Sequence, residues 1–65
     1  MKKVKELNGR EFFTKKQIEE PKESQVWIRI GYDFSEKKYI CQNFADINKI
    51  CYMSGNKEVY TDFIF

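Results

Sequence analysis

The stretch QVWIRIGY, residues 25–32, constrains the fold of this chain more than any other part of its sequence. Val26, Ile28 and Ile30 alternate with Trp27 and Arg29, the period of two that a strand uses and a helix does not. The run is rich in β-branched and aromatic residues, which suit a pleated backbone. On this reading the aliphatic trio faces a core, and Trp27 and Arg29 face outward.

The neighbouring segments read as further short strands. Asn8-Gly9 is a turn signal, because both residues tolerate positive φ. A strand over residues 11–18 follows it. A short helix competes there: Thr14 and Gln17 fit a capping box, and Phe13 and Ile18 fit a hydrophobic staple. Pro21 would end that helix within two turns, and Lys15 and Lys16 would oppose its dipole, so a strand is preferred. EEPKES, residues 19–24, is a polar loop. DFSEKK, residues 33–38, is a turn in which the Asp33 side chain bonds backbone two residues on. YICQNF and KICYM are the next strands, joined through a tight connection at ADIN with room for one helical turn. After a turn at Gly55-Asn56, EVYTDFIF closes the chain.

Five short strands at close spacing predict an all-β fold in one domain over residues 1–65: a five-stranded SH3-like barrel or rolled antiparallel sheet. In that arrangement Val59, Thr61, Phe63 and Phe65 share the inner face of the closing strand, and removing residues 63–65 is expected to unfold the domain. The chain has 65 residues, and one this short buries only about 60% of its unfolded surface. Aromatic residues make up 17% of it. Each large ring buries roughly 150–250 Å², which is how so few residues can build a core.

Leu7, Gly9 and Phe12; Val26, Trp27, Ile28 and Arg29; Tyr32, Asp33 and Ser35; and the ending at residues 59–65 resemble a scattered group of short proteins from phages and integrated mobile elements of bacteria. The resemblance covers most of the chain. It implies a small β fold and a mobile-element origin. Its motifs are turns and apolar strands, so it supplies no activity and no catalytic residues.

The residue inventory argues against catalysis. Histidine is absent, which removes the commonest general base and metal ligand. The two cysteines are too few for a structural zinc site without histidine. The glycines are scattered and form no phosphate loop. Asp33 with Glu36, and Glu58 with Asp62, read as turn and surface groups. No enzyme activity, cofactor or metal is expected. A hairpin around Asp46 would set Cys41 opposite Cys51, where a disulfide is geometrically conceivable. Two small buried thiols are the preferred reading.

The function expected is that of a non-enzymatic binding module. Trp27, Arg29, Lys38 and Tyr60 form the candidate binding face, with Ile64 and Lys37 nearby. Such residues are enriched at protein interfaces, and a protein partner or a second copy of the chain is preferred. Nucleic acid is the alternative, since exposed rings beside cations stack on bases. A third account buries these side chains under the N-terminal segment. The net charge of +2 and pI near 8.6 are a weak basic bias for a nucleic-acid domain. No apolar run approaches the ~18 residues of a membrane span. No secretory signal pattern follows the N-terminal lysines, so a cytoplasmic location is expected, with no membrane partner.

Overall fold

A computed structural model describes residues 1–9 and 11–65. It contains six strands: β1 (Lys2–Lys3), β2 (Phe12–Thr14), β3 (Val26–Asp33), β4 (Lys38–Asn43), β5 (Ile50–Met53) and β6 (Glu58–Val59). The helical content among the described residues is two 3₁₀ turns, Val4–Glu6 and Glu23–Gln25. The all-β class is as expected, with six strands rather than five. All pairings are antiparallel.

The strands form two sheets. One is four-stranded in the order β2-β3-β4-β5, and the other pairs β1 with β6. A bridge joins them: Thr14 N–H donates to Tyr60 O at 2.9 Å, and Tyr60 N–H donates to Thr14 O at 3.0 Å. Val4 N–H to Lys57 O and Lys5 N–H to Gly55 O extend the contact between the chain's start and the turn before β6. A Cβ at Gly55 would stand 3.0 Å from Tyr39 Cε2 and 3.3 Å from Lys5 Cβ, so only glycine fits this approach without a shift. The two sheets do not close into a continuous ladder among the described residues.

The core lies between the sheets. Val4 and Leu7 from the N-terminal segment and Val59 from β6 meet Phe13, Trp27, Cys41 and Met53 from the large sheet. Tyr39 and Cys51 pack against this cluster.

The turns carry much of what the sequence suggested. Asp33 Oδ1 accepts hydrogen bonds from Ser35 N–H, Ser35 Oγ and Glu36 N–H. These bonds, the Ser35 hydroxyl foremost, hold the Asp33 carboxyl below its ordinary range. The positive φ of this hairpin falls on Lys37, at 56°; no described glycine has one. At the ADIN connection, Asn43 Oδ1 accepts from Ala45 and Asp46 N–H, and Lys49 N–H closes on Asp46 O. That connection is a turn rather than a helix.

Two expected strands are shorter than the sequence suggests. β2 stops at Thr14, where the backbone bridges to Tyr60 and the side-chain hydroxyl donates to Lys16 O. Residues 15–22 are neither strand nor helix. The closing strand ends at Val59. After the Tyr60 bridge the chain leaves the ladder, and residues 61–65 do not share an inner face. Phe65 is 52% exposed and stacks edge-on against Phe12 and Phe44.

The facing of β3 is also corrected. Val26 is fully buried as expected, but Trp27 points into the core and is 6% exposed, Ile28 is half-buried and Ile30 is 52% exposed. The alternation distinguishes two sets of residues but does not say which set is inside, because both are largely apolar. The neighbours decide it. Phe13, the register partner of Trp27 on β2, is a fully buried core residue, so the larger ring goes in with it.

Candidate functional site

The four residues expected to form a binding face lie in separate places. Trp27 is buried, with the ammonium of Lys15 4.1 Å from its ring centroid and that of Lys49 at 5.8 Å. Such contacts shield the ring and favour the cations. Arg29 is half-buried: its Nη1 donates to Val4 O at 3.0 Å, and its guanidinium lies 5.0 Å over the Tyr39 ring. Both roles hold the fold together. Lys38 is exposed and lines a shallow depression with Asp33, Glu36 and Tyr52. Tyr60 is half-buried and lines a different one with Met1, Gln17, Thr61 and Asp62.

A different surface gathers apolar side chains. Register places Phe12, Ile28, Gln42 and Ile50 in one row across all four strands of the large sheet. By the pleat, these point away from the core that Phe13, Trp27, Cys41 and Met53 occupy. Ile40 and Tyr52 form the next row of the same face. Phe12 and Ile50 are each 40% exposed and Tyr52 is 53% exposed. At one end Phe12, Phe44 and Phe65 make a three-ring cluster with centroids 4.9–5.8 Å apart, all edge-to-face. Gln42 is the polar member of the first row, and its amide is engaged by Ile47 O at 3.1 Å.

This face was hidden in the sequence by an assumption about direction. Ile28, Ile40 and Ile50 were visible as strand residues, and aliphatic residues on a strand are read as core. The signal that could have located the face is the count of apolar residues on each strand, which exceeds what one small core can take. An antiparallel sheet with one face in water usually carries polar residues there. This sheet carries apolar ones on both sides.

No three Cys, Asp or Glu side chains converge as a metal site among the described residues. Cys41 is fully buried, and its thiol is pushed up to about 12, first by burial and then by the adjacent Cys51. No described helix is long and apolar enough to cross a membrane. No protein-family profile matches the chain, nor does any curated protein or any solved structure.

Proposed function

We propose that this chain is a small protein-contact module that self-associates through the outer face of its large sheet. The observation that carries this reading is the uncharged row Phe12, Ile28, Gln42 and Ile50, continued by Ile40 and Tyr52, on the outer side of an antiparallel sheet, with Phe12, Ile50 and Tyr52 exposed and Ile28, Gln42 and Ile40 half-buried. Exposed apolar patches rimmed by polar groups mark interaction sites.

The occupant that fits is a second copy of the chain. The face is apolar, and its rim beside Tyr52 carries both signs at Asp33, Glu36 and Lys38. A two-fold pairing can therefore set acid against lysine as well as ring against ring. A net charge of +2 gives two copies little mutual repulsion. The molecule measures 34 × 25 × 17 Å, so one of its broad sides offers an area comparable to the ~800 Å² each partner contributes to a standard interface.

In finer terms, the fold is a small SH3-like barrel. The Thr14–Tyr60 bridge and the β1–β6 pair, which wrap two sheets around one core, support this. The module has no enzymatic role and works in the cytoplasm of a bacterium that hosts a mobile element. The nucleic-acid alternative draws less support, because the ring it needs, Trp27, is 6% exposed.

Sedimentation over a concentration series tests the proposal. The wild-type chain should pass from monomer to dimer between micromolar and millimolar concentration. Ile50→Lys should stay monomeric with an unchanged melting temperature. A wild-type monomer throughout, indistinguishable from Ile50→Lys, sinks the reading. Quenching of Trp27 by single-stranded nucleic acid at low salt would restore the alternative.

A further inference from the structure

We propose that Cys41 and Cys51 form a reversible dithiol–disulfide pair, oxidised by an anionic low-molecular-weight disulfide that enters beside Cys51. The two residues are direct register partners on β4 and β5 and lie on the inner side of the sheet. Asn43 N–H donates to Lys49 O two positions along the same ladder. By the alternation of antiparallel pairing, Cys41 and Cys51 are then a hydrogen-bonded pair, for which the Cα spacing is about 5.5 Å. That lies within the ~4.4–6.8 Å that disulfides span, and the Cβ atoms, about 5.5 Å apart in such a pair, must approach by about 1 Å for the bond to close. Both thiols are free, and Cys51 packs against the core cluster to which Cys41 belongs.

The two sulfurs differ in access, which assigns their order of reaction. Cys41 is fully buried. Cys51 is half-buried and lines a cavity of about 290 Å³ with Lys15, Met53, Ser54 and Lys57. The two lysines make this mouth suited to a disulfide that carries carboxylates, such as oxidised glutathione. Burial holds the Cys41 thiol protonated at neutral pH, so Cys51 leads.

The chemistry balances without any other reagent. The Cys51 thiol loses its proton and its sulfur attacks one sulfur of the small disulfide. The S–S bond of the reagent breaks, and its first half leaves as thiolate and takes up that proton. The Cys41 thiol then loses its proton and its sulfur attacks Cys51 Sγ, expelling the second half, which is protonated in turn. Two protein thiols are oxidised, and one small disulfide is reduced to two thiols. Proximity compensates for the poor ionisation of Cys41 in the second step. The inference is independent of what docks on the outer face.

Incubating the native chain with oxidised glutathione at pH 8 without oxygen, then alkylating and weighing it, tests the proposal. The expected product has lost two hydrogen atoms, carries no adduct, stays unlinked to other chains and is restored by dithiothreitol. Cys41→Ser should stop at a glutathionyl adduct on Cys51. Cys51→Ser should acquire none while folded. An unreacted wild-type chain overturns the proposal, as does a lasting adduct on Cys51 or a disulfide between two chains. Should Cys41→Ser fail to fold, the wild-type mass alone decides.

Discussion

Phe12 and Phe13 are neighbours on β2 with the same side chain, and they live in different surroundings. Phe13 is fully buried among Val4, Leu7, Trp27 and Val59. Phe12 stands on the opposite side of the pleat, 40% exposed, touching Phe44 and Phe65. The contrast extends over the whole sheet. One side is sealed by the N-terminal segment and β6; the other is covered at the end where Thr14 and Val26 are fully buried and is exposed at Phe12, Ile50 and Tyr52. Apolar character alone therefore does not place a residue inside. What places it is whether a second layer exists to cover it.

The largest test of that contrast compares the two rings directly. Phe13→Ala should cost about 3–5 kcal/mol, because it opens a cavity in the core. This is a large share of the stability such a domain has, so a low melting point or outright unfolding is expected. Phe12→Ala should cost about 1 kcal/mol, the worth of its edge contacts. Equal losses in denaturant titration would erase the distinction between the two faces.

The polar pair on β4 sharpens it. Asn43 faces inward, buried, with its amide donating to Ser24 O and its oxygen accepting from Ala45 and Asp46 N–H. Asn43→Ala leaves these partners unsatisfied and should cost about 2 kcal/mol. Gln42→Ala, one position along and on the open face, should change stability by about 0.5 kcal/mol or less.

The C-terminal rings come next. Removing residues 63–65 deletes the Phe65 contacts to Phe12 and Phe44 and the bond from Ile64 N–H to Glu19 O. The loss should be about 1–2 kcal/mol, with a cooperative thermal transition retained. This departs from the sequence reading, in which those rings close the core and the truncated chain unfolds. Calorimetry on the shortened chain distinguishes the two.

The smallest effect is electrostatic and lies on the rim. Asn8 N–H donates to Glu11 Oε1 at 2.9 Å, and Lys2 pairs with the same carboxylate at 3.1 Å. The Asn8 bond foremost, with Lys2, lowers the Glu11 value. A lowered folded value means the contribution is present above the ordinary carboxylate range and lost as pH falls through the folded value. Solvent screens this site, so Glu11→Gln should slightly flatten the acid limb of the stability curve and leave neutral pH nearly unchanged.

What could be read in the sequence was local. The Asp33 turn and the Cys41–Cys51 alignment follow from residues close together in the chain and stand, and the period of β3 holds from Val26 to Arg29 until the register shift at Ile30. The missed features depend on distant partners. Thr14 ends β2 because Tyr60 meets it. Trp27 turns inward because Phe13 and Val4 wait there. Of the three accounts the sequence offers for Trp27 and Arg29, burial under the N-terminal segment is the one met: Val4 packs in the Trp27 cluster, and its carbonyl accepts from Arg29. Trp27, Arg29, Lys38 and Tyr60 do not assemble into one face for the same reason: one strand's alternation carries no information about the second layer.

The ladder between β3 and β4 shifts between Arg29 and Gly31: Arg29 pairs with Cys41 and Gly31 with Ile40, leaving Ile30 over. The strand thus carries a supernumerary residue, and excising Ile30 would leave every other partner where it stands. Among kindred chains, this is where a single-residue gap should recur most freely. What would be forfeited is the extra bend and twist that such a bulge puts into a strand next to Arg29.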